Sequence, residues 1–584
     1  MGVMRADTVR LFFILCILIS GSRLFSQEYR LDLVFDADDS WLQRLNYKEK
    51  CKDSSAVYKE ISSVVLDLQK RSFFAASCDS ISFTGSDAIS YIHLGDKLNW
   101  ARLKKGNVEE EVLSRTGYRD KIYNRYRFRY AQFGRFVDGI LSFYEDNGYP
   151  FVSLTLDSIR NIEREGIDAV LKLEKNRYVE IDTVEIYGGN FISDKYLFNY
   201  LGIKPHRPYN ESNVKAVSRR IGDLTFIGEQ QPPKVIFTET STHLQLFLNK
   251  KRASRFDGII GFLQEEKDGS VQLTGDVKLS LANAFKRGEH IALNWRGLPY
   301  NTQDLNMHFN YPYLLNSPFG IDLNFKLYKR DSTFLDIISG IGIPYFINAR
   351  DYLKVQYESH SSNLLSTMQY KDINTLPPVL DFHTHYYGGE LNFNKVDYLL
   401  NPTRGFRILI NGMAGFKTIQ KNINLPDSLY DAVQINTIIF KGQCDLAYFL
   451  SLAPRHVLVF ANKSAYLQNP QILRNEMFRI GGLRTLRGFD TESIFVSSYV
   501  INTFEYRFIL DRTSNINVFT DVAYTEKKIL NAPSRFDTPF CIGAGTNFET
   551  RAGIFSLSYA VGSQQGNPLD IRGAKIHFGF LNYF

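Results

Sequence analysis

The chain has 584 residues, 44% of them hydrophobic and 22% charged, and a net charge of +7 from 69 basic and 62 acidic side chains. Those fractions exclude a polytopic helical transporter and a disordered chain, and so small a charge on this length gives no reason to expect a nucleic-acid partner. The aromatic content is out of line: 34 Tyr and 45 Phe, but 3 Trp.

Residues 1–26 read as a secretory signal peptide. Arg5 and Arg10 make a basic n-region, 11–20 is an apolar run too short to span a bilayer, and Ser26-Gln27 offers a cleavage point. No later stretch approaches 18 consecutive apolar residues. An exported chain of this kind is either soluble outside the cytoplasm or a β-barrel in an outer membrane.

Residues from about 28 to 250 mix helical and strand periods. A helical pattern at 58–69 precedes strand patterns at 80–83 and 89–94. A second helix, 133–144, ends at Asn147-Gly148, a C-cap pair, and leads into strands 151–156 and 169–173. Strand 179–187, helices 194–201 (with Ser193 as N-cap) and 211–221, and strands 234–239 and 244–248 complete a third unit. The recurring order is strand, helix, helix, strand, strand. It divides this half into modules at 27–105 (degenerate), 106–177 and 178–252. Arg119–Arg135 interleaves arginine with aromatics; in an exported chain that reads as a helical face rather than an RNA-binding one. Cys51 and Cys78 admit a disulfide in an oxidising compartment, or two free thiols; with no CxxC, zinc-ribbon and redox chemistry lack support.

Residues 253–584 alternate. Leu305, Met307 and Phe309 interleave with Asp304, Asn306, His308 and Asn310; Ile321, Leu323, Phe325 and Leu327 interleave with Asp322, Asn324, Lys326 and Tyr328. A period of two gives one apolar and one polar face. The runs are long, full charges such as Asp276 and Lys278 sit in mid-strand, and Tyr311, Tyr313, Tyr352, Tyr386 and Tyr387 cluster near strand ends as an aromatic girdle would. These features favour a barrel in lipid, with its apolar face outward. Counting alternating runs gives about sixteen strands. The longest gap between them is 468–493.

That gap contains Gly481, Gly482, Arg487, Gly488 and Phe489 in the run GGLRTLRGF. An arginine at the tip of a glycine-rich loop entering the lumen needs carboxylate partners. Glu505 and Asp521 lie in the next two strands and face inward by alternation. Arg487-Gly488-Phe489 resembles the tip of the inward-folded loop of the BamA/TamA superfamily of outer-membrane assembly factors and two-partner-secretion transporters. Phe519-Thr520-Asp521-Val522-Ala523 is similar to that family's F-x-D-x-G strand, with Ala523 in place of glycine, and Glu505-Tyr506-Arg507 resembles the acidic strand before it. The ending HFGFLNYF, with His577, Gly579 and Phe584, resembles an outer-membrane β-signal, although Asn582 departs from it. Phe143-Tyr144 followed by Gly148-Tyr149-Pro150 matches the helix-to-strand corner of POTRA modules.

The resemblance implies an α+β series of periplasmic POTRA repeats followed by an all-β, 16-stranded transmembrane barrel. It implies that Arg487 pairs with Asp521 and Glu505 to hold the loop inside. The implied partners are unfolded outer-membrane or secreted client proteins, the lipid bilayer, and periplasmic or inner-membrane subunits, with no cofactor. An export or lipid-transport channel and a barrel-borne enzyme are the alternative classes. No GxSxG, HExxH, Walker A or GxGxxG motif supports catalysis. His383 and His385 share a strand face but are too few to hold a metal.

Overall fold

A computed structural model describes residues 28–36, 45–97, 100–119, 130–162, 166–264, 271–298, 302–331, 333–367, 376–399, 401–511, 513–550 and 553–581. The expected signal segment, residues 120–129 of the arginine-aromatic stretch, Asn582 and Phe584 lie outside them. The chain forms two compact units: one ends at residue 179 and adds 208–212, the other comprises 180–207 and everything from 213 onward.

The first unit holds two modules of one topology. In the first, β1 (Tyr29–Phe35) and β2 (Lys50–Cys51) precede helix α1 (Ser54–Lys70), then β3 (Ser77–Thr84) and β4 (Asp87–His93). The sheet order is β2-β1-β4-β3, with β1 parallel to β4 and β3 antiparallel to it. Helix α1 starts where the Asp53 side chain accepts the amide of Ala56 at 2.7 Å. Its buried stripe of Val57, Ile61, Val64 and Leu68 follows the 3.6-residue period. Cys51 and Cys78 are both free thiols. They lie on β2 and β3, the outermost strands of this four-stranded sheet. Three strand spacings of roughly 4.8 Å separate them, beyond the reach of a disulfide.

The second module comprises β5 (Trp100–Lys104), α2 (Glu110–Arg115), α3 (Tyr130–Glu145), β6 (Ser153–Ile162) and β7 (Gly166–Glu174). Strand β5 runs parallel to β7, and β6 antiparallel to it. The expected boundary at 105/106 therefore falls one strand late. Its parallel partner β7 is far downstream, so adjacent sequence does not reveal where β5 belongs. Val112, Leu113, Phe136, Ile140 and Tyr144 bury against Leu103, Ala169, Leu171 and Leu173.

A third module opens the second unit. It consists of β8 (Glu180–Ile181), β9 (Thr183–Tyr187), α4 (Asp194–Leu201), β10 (Arg207–Pro208), α5 (Glu211–Asp223), β11 (Ile227–Phe237) and β12 (Thr242–Lys250). Its main sheet repeats the pattern, with β9 parallel and β11 antiparallel to β12. Ser193 occupies the N-cap of α4 but makes no side-chain cap bond; its amide donates instead to the Lys286 carbonyl at 2.7 Å.

All but two of the remaining strands form one antiparallel sheet. They are β13 (Arg255–Gln264), β14 (Val271–Ala282), β15 (His290–Leu298), β16 (Thr302–Tyr311), β17 (Ile321–Arg330), β18 (Phe334–Phe346), β19 (Tyr352–Leu364), β20 (Asp381–Val396), β21 (Gly405–Gln420), β22 (Asn436–Ala453), β23 (His456–Gln468), β26 (Ser498–Ile509), β27 (Asn515–Lys527), β28 (Arg535–Asp537), β29 (Phe540–Thr550), β30 (Gly553–Ser563) and β31 (Lys575–Leu581). The sheet has seventeen strands, but short β28 and β29 both pair with β27 and share one place. Sixteen positions result, and each meets the next in sheet order. The alternation runs apolar-out. Met307 is 44% and Val355 74% exposed, whereas Asp304 is 4% exposed and bonded to Arg296. A water-soluble sandwich would reverse those values; lipid outside and a polar lumen inside explain them.

The outer aromatics differ from those expected. Phe406, Tyr448, Phe460 and Phe504 are exposed and stand opposite one another across four strands. Tyr387 is exposed as expected, but its neighbour Tyr386 points inward and is buried. The Tyr352 hydroxyl donates to Glu390 inside the lumen at 2.7 Å. Tyr313, in the turn after β16, packs edge-on against Tyr196 of α4. Asp223 at the end of α5 accepts two bonds from Arg350, at 2.7 and 2.8 Å. The third module is thus seated on the barrel's turns.

Candidate functional site

The segment between β23 and β26 folds back into the barrel as a hairpin. Its stem is β24 (Phe478–Ile480) paired with β25 (Ile494–Val496), and its tip runs from Gly481 to Ser493. It touches the wall at widely separated strands. Asn475 donates to Ser362 on β19 at 2.7 Å, Arg479 lies 3.8 Å from Asp336 on β18, and Asp490 pairs with Lys575 on β31 at 2.7 Å. A segment that meets strands from β18 round to β31 is enclosed by the sheet.

The tip is shaped by its own bonds. The Thr485 hydroxyl donates to the Gly481 carbonyl and accepts the Gly481 amide, and the Gly482 amide donates to the Leu486 carbonyl at 3.0 Å. This turn buries Leu486 among Ile501, Phe519, Ala523, Cys541 and Ala560, and it aims the next side chain, Arg487, at the wall. Ala523, where the resembled motif has glycine, contributes to that apolar cluster.

Arg487 is held on three sides. Its Nε and one terminal nitrogen donate to the two oxygens of Asp521 at 2.9 and 2.6 Å, and its other terminal nitrogen donates to Glu505 at 2.8 Å. The guanidinium carbon lies 3.3 Å from the centroid of the Phe519 ring, a cation–π contact in a water-poor place. Register explains the convergence. Thr503 stands opposite Asp521 and Glu505 opposite Phe519 on β26 and β27, so alternate positions put all four on the lumenal face. Asp521 is 0% exposed and also accepts the Thr503 hydroxyl at 2.8 Å and the Cys541 thiol at 3.4 Å. Glu505 accepts Arg507 at 2.6 Å. Two arginines and two carboxylates therefore balance, as burial requires.

Gly488 permits the approach. Its φ is +85°, and an added Cβ would lie 2.9 Å from Cys541 Cβ and 3.0 Å from the Gly562 amide. Gly562 on β30 leaves the matching space, since a Cβ there would meet the Gly488 oxygen at 2.7 Å and the Phe489 ring at 2.9 Å. Gly579 and His577 lie on β31 opposite Ser556 and Ser558, and a Cβ on Gly579 would come within 2.5 Å of the loop residue Leu483.

The motif left a second anchor unannounced. Lys417 on β21 is buried with Glu476, just ahead of β24. Its Nζ donates to Glu476 at 2.6 Å and to the Gln471 carbonyl at 2.8 Å, and Glu476 also accepts the Leu473 amide at 2.8 Å. A lone lysine in an otherwise uncharged stretch of β21 was the available signal, but no sequence spacing links it to Glu476. His383 and His385 sit apart from the loop, beside Ser359 and Tyr357.

The family model for the Omp85 superfamily domain matches residues 283–581. Outer membrane protein assembly factor BamA of Neisseria meningitidis serogroup B (strain ATCC BAA-335 / MC58) is 22% identical over 444 residues, covering 69% of this chain and 51% of that protein. The chain thus spans about half the length of this curated relative. Among solved structures, BamA from Haemophilus ducreyi lacking POTRA domains 1-3 matches at 13% identity over 82% of this chain and 98% of that one, with a TM-score of 0.41. CdiB from Escherichia coli matches at 12% identity over 90% and 97%, with a TM-score of 0.46.

Proposed function

The chain belongs to the Omp85 superfamily, and from that premise we propose that it assists the insertion, assembly or translocation of other proteins at the outer membrane. The barrel spans that membrane, with the α/β modules, read as POTRA repeats, in the periplasm.

The observation that carries the reading is the inward hairpin. Arg487 ties it to β26 and β27, while Asp490 and Leu483 tie it to β31, the last strand of the sheet. The end of the sheet is where an incoming strand would join, because unpaired backbone groups in lipid favour any partner that satisfies them. In this reading Arg487, Asp521 and Glu505 form a loop lock that fixes the hairpin against the wall beside that end. Client strands reach it along the modules, whose edge strands β3, β6 and β11 offer backbone groups for pairing. The chain brings no fuel to this process; client folding into lipid supplies the driving force.

Depleting the protein and comparing outer-membrane proteomes tests the proposal. Loss of several barrel proteins together is expected. An unchanged proteome with a single secreted protein missing would replace assembly by dedicated export, and a change in lipid composition alone would point to lipid transport.

A further inference from the structure

Beside the returning limb of the hairpin, at the outer end of the barrel, lies a cavity of about 720 Å³, a volume typical of small-ligand sites. The modules precede β13, so that strand starts at the periplasmic side and alternation carries the β23–β26 connection to the outer side. The cavity is walled by residues following Phe489, by the facing ends of β27 and β28, and by the turn between β30 and β31. Four cations line it: Arg474, Lys527, Arg535 and Lys575. Two carboxylates accompany them. Asp490 is engaged by Lys575, and Asp537 accepts the amides of Thr538 and Gln565 at 2.9 and 3.0 Å.

Lys527 and Arg535 stand directly opposite each other in the β27–β28 ladder, an arrangement that is unfavourable unless a counter-charge sits between them. Among the described residues neither has an ion pair. Arg474 lies over the Phe495 ring at 4.9 Å, and Gln564, Gln565 and Asn567 bring side-chain amides to the wall. Cations without a carboxylate partner, beside side-chain amides, suit a ligand that carries its anionic groups on a hydroxyl-rich frame.

We propose that this cavity binds an anionic saccharide of the cell surface, carrying phosphate or carboxylate groups that lie between Lys527, Arg535 and Arg474. The guanidinium of Arg535 supplies the forked contact to phosphate, and Lys527 supplies a point charge. Because Asp490 and Phe489 form part of the wall, the bound saccharide lies against the hairpin directly after Arg487.

The test is calorimetric titration of the full-length protein in neutral detergent with a glucosamine disaccharide bisphosphate. Parallel titrations use the unphosphorylated disaccharide, inorganic phosphate and a hexaglutamate peptide. The bisphosphate is expected to bind with an affinity that falls as salt rises, to lose at least tenfold in K527A/R535A, and to bind unchanged to K278A, a basic substitution elsewhere on the barrel. The neutral sugar and inorganic phosphate are expected to bind at least tenfold more weakly. Retained heat-modifiable migration of K527A/R535A shows that its barrel is folded; if it is lost, the single variants R535A and K527A carry the test. No binding of the bisphosphate, equal binding of inorganic phosphate, an unaffected double variant, or tighter binding of hexaglutamate would each overturn the proposal. The last would assign the cavity to acidic peptide.

Discussion

Arg487→Ala is the perturbation whose consequence the structure defines most closely. It removes the two bonds to Asp521 and the one to Glu505. Glu505 keeps Arg507. Asp521, fully buried, is left with the Thr503 hydroxyl, the Cys541 thiol and the residue 487 amide, which donates at 3.2 Å. Removing one member of a buried ion pair destabilises by about 3–5 kcal/mol. The hairpin can leave the wall without unfolding the sheet, so this loss falls on a local opening. At about 1.4 kcal/mol per tenfold, the released population rises by roughly two to three and a half orders of magnitude. Hydrogen exchange followed by mass spectrometry on the full-length protein reads it directly, because amides that exchange through local opening speed up in proportion to that population. The peptide covering 481–490 contains the Gly482 and Arg487 amides, both hydrogen-bonded in the locked hairpin. Peptides from β20–β22 serve as the internal reference. Less than about threefold acceleration at 481–490, with the reference unchanged, would refute the lock. Arg487→Lys keeps the charge but not the fork and is expected to fall between.

Other expectations follow from the same geometry. Lys417→Met leaves Glu476 buried without its cation and is expected to destabilise by about 3–5 kcal/mol, whereas Lys417→Met with Glu476→Met recovers most of that loss; detergent-state thermal melts of the three variants check it. Gly488→Ala places a Cβ between Cys541 and Gly562 at a backbone conformation that costs alanine about 1 kcal/mol or more, so exchange at 481–490 accelerates even though Arg487 is intact. Asp223→Ala removes the carboxylate that receives both bonds from Arg350 and is expected to raise proteolytic cleavage within 194–223 while heat-modifiable barrel migration persists. Alkylation and mass analysis of the unreduced chain are expected to find Cys51 and Cys78 as separate thiols; a 51–78 linked peptide would contradict the strand order.

The barrel was legible because lipid outside and water inside impose a strict period of two over long runs, and each turn breaks that period. The phase was harder to read. In Tyr386-Tyr387 one ring must face each way, and either choice keeps the alternation; Tyr386 turns inward because the hairpin offers it Met477 and Ile472 to pack on. The arginine and its two carboxylates could be picked out because a buried guanidinium has few acceptable partners and the next two strands each carry one. The role of Phe519 as the platform beneath Arg487 required the register of β26 on β27, and the Lys417–Glu476 pair required knowing that the loop turns inward at all. The choice between a Cys51–Cys78 disulfide and two thiols stayed open in the sequence for a related reason: nearness in sequence says nothing about order across a sheet.

The two facing glycines, Gly488 and Gly562, carry a consequence for electrical behaviour. Where they meet, the main chain of the hairpin lies against the main chain of the wall, with no side chain between them and no width for a hydrated ion. Current through the lumen, with the hairpin in place, is therefore denied the gap between Gly488 and β30. Single-channel recordings report how much the remaining circumference conducts. A bulkier residue at either glycine would prise the two backbones apart and open a leak there, so the pair acts as a gasket.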